Sequence, residues 1–157
     1  ATLNVMGKNI KIYNVHFPSG FHDVSMRLDS LRLLKELLLN QNYPTIALGD
    51  FNVNTKEDNK LDIYKSQQEE WIVAHLVGCN SCKGTYYYNY GKTWEYLDTI
   101  FLSKDRGISY VPKSIDIHNT SSNAYSDTGK PIKFNAINKY GVSDHLPMVA
   151  KFKINSL

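Results

Sequence analysis

The sequence predicts one globular domain that mixes strands with helices. The chain has 157 residues, of which 42% are hydrophobic and 21% charged, a balance that allows a core of its own. Residues 8–17 and 45–52, called the first and second predicted strands, have strand-like composition, and an amphipathic stretch lies between them. Strand, helix and strand in this order predict a βαβ-like crossover.

The composition argues against a membrane-spanning protein and a dedicated nucleic-acid binder. The net charge is +3 with dispersed lysines and arginines, which is compatible with an anionic substrate but forms no basic stripe. No run approaches the roughly 20 apolar residues of a membrane span, and no signal peptide is visible. The chain starts at Ala1 rather than Met, which suggests processing or a fragment. The compartment stays open between periplasmic or secreted and cytoplasmic.

The cysteines, Cys79 and Cys82, form a single CxxC pair. Structural zinc would need further cysteine or histidine ligands at suitable spacing, and the sequence offers none. Free thiols and a small-ring disulfide remain equal alternatives. Redox catalysis is less favoured, because no thioredoxin-like context surrounds the pair.

The first two predicted strands end in the same unusual pattern. In the first strand, two isoleucines are followed on one face by Asn14 and His16, and in the second strand two apolar residues are followed by Asp50 and Asn52. A lone histidine in a strand is more often a packed core residue than a functional one. Because the pattern occurs twice, we predict a shared site at one end of a sheet.

Residues 24–40, between these strands, have the period of an amphipathic helix. Pro18 and Gly20 break the first strand, and Asp23 or Ser25 can cap the helix. Arg27 is expected on the solvated face. The stripe expected to face the core consists of Val24, Leu28, Leu31, Leu34 and Leu38.

The segment after Asn52 is expected to be peripheral to the site. Residues 54–60 are predicted to form a polar surface loop and residues 61–77 a second helix, in which His75 is a packing or surface residue. Residues 84–90 are rich in tyrosine and predict a strand. Packing is a better explanation of these rings than base stacking, because few basic residues interleave with them.

Acidic and imidazole groups return in the second half of the chain. Residues 93–103 predict a strand that contains Asp98, a buried carboxylate that needs a partner, for which a histidine is the obvious candidate. A short strand at 113–118 and a long loop at 119–139 follow. Asp144 and His145 then directly precede the closing strand, 148–154.

Together these residues offer carboxylates, imidazoles and amides at strand ends. Carboxylate and amide oxygens suit Mg²⁺ or Mn²⁺, and an imidazole near carboxylates suits proton transfer. The combination predicts phosphoester hydrolysis. The candidate residues are Asn14, His16, Asp50, Asn52, Asp98, Asp144 and His145.

The polar motifs resemble those of the endonuclease/exonuclease/phosphatase superfamily. The motifs Asn14-Val15-His16, Gly49-Asp50-Phe51-Asn52, the Asp98 strand and Ser143-Asp144-His145 appear in the family's order, from about Ile10 to the end. The resemblance implies an α+β fold, part of a four-layer α/β/β/α sandwich with a mixed sheet and flanking helices. Residues 84–98 are further similar to bacterial members of uncertain substrate.

The resemblance also implies roles. Asp50 would orient or deprotonate the attacking water, and Asn52 would hold water and phosphate. Asp98 would orient His145, whose ring contacts the scissile phosphate. The metal, Mg²⁺ or Mn²⁺, would lie at Asp144 and Asp50.

The remaining implied roles belong to the first predicted strand. His16 would bind phosphate or assist the leaving group, with Asn14 supporting it. The implied function is hydrolysis of phosphodiesters or phosphomonoesters in the manner of a nuclease, with nucleic acid among the candidate substrates. Two alternatives stay open: a lipid or inositol-phosphate phosphoesterase, and a catalytically silent phosphate-binding fragment.

The chain departs from the family at its amino terminus. Family members carry a metal-binding Glu and an Asn in a half that precedes the His16 strand, and residues 1–9 cannot be that half. We hypothesise that the chain is a single domain without its amino-terminal half: a fragment, one piece of a cleaved protein, or part of a homodimer that replaces the missing layer.

Overall fold

The computed structural model describes residues 1–79 and 82–154, and its centre is a five-stranded mixed sheet in the order β1-β2-β3-β7-β4. The strands are β1 (Thr2–Val5), β2 (Lys8–His16), β3 (Thr45–Asp50), β4 (Trp71–Val73), β5 (Tyr86–Tyr88), β6 (Thr93–Glu95), β7 (Asp98–Ser103), β8 (Ile108–Tyr110), β9 (Asp116–Ile117), β10 (Met148–Val149) and β11 (Phe152–Ile154). The helices are α1 (Val24–Leu39), α2 (Thr55–Leu61), α3 (Ile63–Ser66) and α4 (Ala74–Gly78).

The predicted mixed α/β architecture with flanking helices is confirmed. Strands β2 and β3 pair in parallel and are joined through α1, which is the predicted crossover. Strand β7 then pairs with β3 in the antiparallel direction. The outer strands β5, β6, β8, β9, β10 and β11 form two-stranded pairs outside the central sheet.

One side of the sheet, here called the helix-covered face, packs under α1 and α3. It carries Tyr13, Val15, Phe17, Ala47 and Phe101. Leu31, Leu34 and Leu38 of α1 are buried against it, as the stripe predicted. Aromatic rings fill this core, with Phe51 stacked on Phe101 at a centroid distance of 4.5 Å. The apolar period of α1 therefore determines which side of the sheet becomes the larger core.

The opposite side, here called the site face, packs against the small strand pairs near the carboxyl terminus. It carries Ile10, Ile46, Leu48, Ile100 and Leu102. Its cover thins toward the first strands, because Leu3, which pairs with Ile10, is 48% exposed. The polar ends of β2, β3 and β7 belong to this face, since alternate residues of a strand point the same way.

Arg27 corrects the expectation for α1. The prediction of a solvated side chain was wrong, since Arg27 is 0% exposed. Its guanidinium group pairs with the carboxylate of Glu57 and donates to the carbonyl oxygens of Pro18, Ser19 and His22, so the buried charge is neutralised and its donors are satisfied. Leu28, expected in the core, is 38% exposed.

The predicted loop at 54–60 was wrong, and the helix predicted at 61–77 is present only as the two short helices α3 and α4. The side chain of Asn54 accepts a hydrogen bond from the backbone N–H of Glu57 and starts α2 within the polar segment. Asp62 has a φ of 49°, a left-handed conformation that ends this helix. Residues 71–73 form an edge strand instead of a helix, because Trp71 to Val73 pair with β7.

The remaining predicted strands are present, but two of them are interrupted. The strand predicted at 93–103 is divided into β6 and β7 by Tyr96 and Leu97, and the closing strand is divided into β10 and β11. The short strand near 113–118 is β9, and residues 119–139 form the predicted loop. Isolated β-bridges join Ala124 to Pro131 and Asn135 to Tyr140 in this region. In the described residues, no helix is long and apolar enough to cross a membrane. Cys79 and Cys82 form a disulfide.

Candidate active site

Three predicted site residues meet at one end of the site face. The register places Asp50 of β3 directly opposite Asp98 of β7, and His145 approaches them from the segment before β10. One ligand atom of each residue lies within 4.8 Å of the others. His145 Nδ1 is 2.6 Å from Asp98 Oδ2, so the partly buried carboxylate has the imidazole partner that the sequence predicted.

The carboxylate of Asp50 is held by the turn that ends β3. Its Oδ1 accepts a hydrogen bond of 2.8 Å from the backbone N–H of Asn52. Asn52 has a φ of 53°, and its side-chain amide donates to the carbonyl oxygen of Phe17 at 2.9 Å. The amide of Asn52 therefore joins the ends of β2 and β3, and this fixes the direction of Asp50.

Gly49 sets the spacing between the same two strands. Its φ is 135°, and a Cβ at this position would lie 2.0 Å from the carbonyl oxygen of Val15. Only glycine permits this close approach. The register then places His16 beside Asp50, with His16 Nε2 3.7 Å from Asp50 Oδ2.

The other candidates from β2 point toward solvent. The side chain of His16 is 79% exposed, and Asn14 is exposed two residues earlier on the same face. Both face the region where the cover of the site face is thin. This leaves the His16 ring accessible to a ligand at the edge of the cluster.

Asp144 lies apart from the carboxylates of Asp50 and Asp98. Its Oδ2 is 3.3 Å from the ammonium group of Lys133, and its side chain is 49% exposed. The next residue, His145, is oriented by a hydrogen bond of 3.1 Å from its backbone N–H to Ser143 Oγ. Two consecutive residues of this motif thus have different surroundings.

Thr85 is a supporting residue that sequence reasoning did not single out. It is fully buried, its Oγ1 accepts a hydrogen bond of 3.1 Å from the backbone N–H of Asp98, and its carbonyl oxygen accepts one of 2.7 Å from Leu146 N–H. It therefore links the two chain segments that carry Asp98 and His145. The adjacent Tyr86 ring lies 5.0 Å from the His145 ring. The only signal in the sequence was the similarity of residues 84–98 to bacterial family members.

Several solved structures are similar to this protein over nearly its whole length. An endonuclease/exonuclease/phosphatase family protein from Bacteroides thetaiotaomicron superimposes with a TM-score of 0.65 at 21% identity, over 97% of this chain and 52% of that chain. A counterpart from Leptotrichia buccalis gives 0.60 at 19% identity, over 97% and 52%. Humanized D. rerio TDP2 gives 0.68 at 14% identity, over 97% and 58%. The protein has the endonuclease/exonuclease/phosphatase fold.

The likeness is to solved structures, and it covers only part of their length. No family model matches the chain, and neither does any curated protein. The chain spans about half the length of the solved chains with the endonuclease/exonuclease/phosphatase fold to which it is similar. A mannosyl-6-phosphatase from Bacteroides thetaiotaomicron is among them, with a TM-score of 0.59 at 18% identity, over 94% of this chain and 52% of that chain.

The electrostatics of the cluster shift the pKa values of its acidic and imidazole groups. Burial raises the pKa of Asp50, and the charge of Asp98 raises it further against the opposing effects of Asn52 N–H, His145 and His16. Burial alone would lower the pKa of His145, but the hydrogen bond to Asp98 and the negative charges around the ring raise it overall. Burial acts to raise the pKa of Asp144, but hydrogen bonding and Lys133 lower it overall.

The donor chemistry of the cluster fits a divalent cation. Asp50 and Asp98 are like charges on facing strands, and a cation between them would relieve the repulsion that raises the pKa of Asp50. His145 could add a nitrogen ligand, although its Nδ1 already contacts Asp98. Among the described residues, Asp144 is not part of this group. Asp50 and Asp98 thus present oxygen donors of the kind that a hard divalent cation accepts at this edge of the sheet.

Proposed function

We propose that the protein hydrolyses phosphoesters, in the manner of a metal-dependent nuclease or phosphatase. The observation that carries this proposal is the meeting of Asp50, Asp98 and His145, with His16 beside them, at one end of the sheet. The arrangement offers a base, an oriented imidazole and an accessible second imidazole within one small region. The fold neighbours include proteins named as a phosphatase and as TDP2, and this supports the phosphoester class.

Asp50 is the proposed base that orients or deprotonates the attacking water. In the metal-free site the pKa of Asp50 is raised above that of an ordinary aspartate, and the N–H of Asn52 directs one oxygen so that the other faces the cluster. Asn52 acts here as a positioning residue, because its side-chain amide donates a hydrogen bond to the carbonyl oxygen of Phe17. A direct contact between Asn52 and phosphate is not required in this scheme.

His145 is the proposed donor to the scissile phosphate. Asp98 bonds to its Nδ1, which leaves Nε2 to interact with a phosphoryl oxygen. The raised pKa of His145 favours the protonated, positively charged ring, which would stabilise negative charge that develops in the transition state. Asp98 therefore serves as a positioning residue for the imidazole.

His16 and Asn14 are proposed to bind phosphate or assist the leaving group from the exposed end of β2. Asp50 would hold Mg²⁺ or Mn²⁺ with Asp98, and Asp144 remains a further proposed ligand after release from Lys133. When bound, the cation would supply charge stabilisation at the phosphoryl oxygens.

The chain spans only about half of the solved chains that share its fold, so we propose that a further segment or a second copy completes the site. The thin cover of the site face near Leu3 is consistent with such a layer. Size-exclusion chromatography combined with light scattering tests the second copy. A stable monomer that is fully active would rule out both forms of this proposal.

Hydrolysis of bis-p-nitrophenyl phosphate with added Mg²⁺ or Mn²⁺ tests the proposed function. We expect turnover that is lost with EDTA and falls by about a hundredfold or more in Asp50→Asn and His145→Ala. Asp127→Asn and His118→Gln are matched controls, because both residues are exposed and lie outside the cluster. Equal loss in the controls, or turnover that survives in both cluster variants, would contradict the proposal.

A catalytically silent phosphate-binding module is the second candidate. It is favoured by one observation, that the chain spans about half of the solved chains it resembles. Phosphate binding without turnover, weakened by His145→Ala, would support it. Turnover of inositol phosphates or phospholipids, with none of nucleotide esters, would instead indicate the lipid or inositol-phosphate class.

A further inference from the structure

A groove of about 1240 Å³ extends from His145 and Asn52 to the far end of α2. One wall is α2, another is the segment 19–21 that follows β2, and a third is the β5–β6 hairpin. We call this the side groove. Because it opens directly beside the proposed phosphate position, it can receive the part of a substrate that is not cleaved.

The α2 wall presents two positive charges. Lys56 and Lys60 are four residues apart, so their side chains share one side of the helix, and both are exposed toward the groove. In the part of the chain that the structure describes, no carboxylate forms an ion pair with either ammonium group. These lysines are thus available to an anionic ligand.

This wall is firmly attached to the rest of the protein. The buried carboxylate of Glu95 accepts a hydrogen bond of 2.7 Å from the backbone N–H of Thr55. Glu57, between the two lysines, pairs with the fully buried Arg27. The lysine side chains therefore extend from a helix with a fixed position relative to His145.

The opposite walls present flat rings. Phe21 is 99% exposed, although Arg27 donates hydrogen bonds to three carbonyl oxygens of residues 18–22 and so holds its backbone in place. Tyr88 is 44% exposed at the end of the β5–β6 hairpin. Exposed rings on constrained backbone are suited to stacking, since little ordering is left for the ligand to impose.

We propose that the side groove binds a nucleotide unit adjacent to the scissile phosphate, with a second phosphate on Lys56 and Lys60 and the base against Phe21 or Tyr88. The inference rests on the proposed function, and it specifies a substrate class for that site. A simple sugar phosphate would use its phosphate at His145 and leave the two lysines without a partner. A lipid tail would need an aliphatic lining, and among the described residues that line the groove Leu97 alone has an aliphatic side chain.

Equilibrium binding tests this inference without relying on turnover. Isothermal titration would compare thymidine 3′,5′-bisphosphate, thymidine 5′-monophosphate and mannose 6-phosphate, with release of inorganic phosphate followed in parallel. We expect the bisphosphate to bind about tenfold more tightly than the monophosphate, as one or two charge-assisted contacts provide. Mannose 6-phosphate should bind more weakly than either.

Variants assign the effect to the groove. Lys56→Ala combined with Lys60→Ala should remove the advantage of the bisphosphate, and Phe21→Ala combined with Tyr88→Ala should weaken both thymidine ligands by about tenfold. Lys65→Ala combined with Lys153→Ala, two exposed lysines outside the groove lining, is the matched control and should leave the ratio unchanged. Circular dichroism would establish that each variant is folded.

The outcomes separate the two proposals. Tight bisphosphate binding that depends on Lys56 and Lys60, without any hydrolysis, would support the groove and contradict the proposed function. Hydrolysis of bis-p-nitrophenyl phosphate with equal binding of the bisphosphate and the monophosphate would overturn the groove alone. Equal binding by wild type and the lysine variant, or preference for mannose 6-phosphate, would also overturn it.

Discussion

The two faces of the central sheet have different compositions and different tasks. The helix-covered face buries a dense aromatic core in which Phe51, Trp71 and Phe101 are completely inaccessible. The site face buries smaller aliphatic residues and ends in His16, Asp50 and Asp98. The same strands supply both faces, because successive residues alternate between them.

The difference between the faces predicts that the helix-covered face mainly determines stability and that the end of the site face carries the proposed chemistry. The helix-covered face contributes much of the apolar burial, and the buried Arg27 has a counterion and carbonyl acceptors. The site face buries Asp50 beside the like charge of Asp98, and the burial and the charge both raise the pKa of Asp50. Substitutions on the first face should therefore alter the free energy of unfolding, and substitutions at the end of the second should alter chemistry.

The largest expected loss of stability is for Phe101→Ala. Its ring is fully buried between Phe51 and Trp71, so removing it should lower the free energy of unfolding by roughly 3–5 kcal/mol. Leu48→Ala on the site face is the comparison, and it should cost clearly less because Leu48 is partly exposed. Urea denaturation measures both. Equal losses would break the distinction between the faces.

The next largest effect is expected for Glu57→Ala. This change leaves the fully buried guanidinium of Arg27 without its counterion and should cost roughly 3 kcal/mol. Asp29→Ala, which breaks the exposed pair with Arg32, is the matched control and should change stability little. Recovery of stability in Arg27→Met combined with Glu57→Leu would identify charge burial as the cause.

His75 should make stability depend on pH. Burial between the rings of Tyr64 and Tyr96 lowers its pKa from 6.5 to about 4. Below pH 6.5 His75 binds a proton in the unfolded chain but stays neutral in the folded chain. The stability that is present above this pH is therefore lost as the pH falls toward 4. The full contribution is on the order of 3 kcal/mol.

Urea unfolding of wild type and His75→Gln at pH 7 and pH 4.5 measures this contribution. The variant should lose less stability on acidification than wild type, because its side chain does not titrate. His118→Gln, at an exposed site, is the control and should lose as much stability between pH 7 and pH 4.5 as wild type does. If His75→Gln loses as much as wild type, His75 is not the titrating group.

The smallest change in stability is expected for Asp98→Asn. The amide keeps a partner for His145 at the partly exposed site, so the free energy of unfolding should change by less than about 1 kcal/mol. Turnover of phosphoesters should nevertheless fall by about a hundredfold, because the imidazolium loses its counterion. A loss of several kcal/mol would show that Asp98 has mainly a structural task.

The sequence predicted the strands and the cluster better than the segments between them. Polar residues interrupting the apolar alternation at Asp50 and Asp98 were visible because a buried strand seldom carries them. The edge strand at Trp71 was missed, because its pairing with β7 is a long-range contact that local periodicity does not record. Arg27 was placed on the wrong side for a similar reason: its partner Glu57 is thirty residues away.

The support around the cluster was also beyond prediction. Thr85 looks like any strand threonine in the sequence, and its importance comes from where its hydroxyl and carbonyl oxygens lie relative to Asp98 and Leu146. The contact of Asp144 with Lys133 likewise depends on the path of the long loop. Residue type and position in a strand can identify candidate site residues, whereas the neighbours of those residues depend on tertiary structure.

Gly49 has a consequence for any attempt to vary this protein. Its backbone approaches Val15 so closely that every other side chain must push β2 away from β3 at their common end. Saturation mutagenesis should therefore find position 49 intolerant even of alanine, although no side chain there contacts a ligand. The short distance between His16 and Asp50 is possible because residue 49 has no Cβ atom. Libraries aimed at new specificity should therefore leave this position unchanged and vary the groove walls instead.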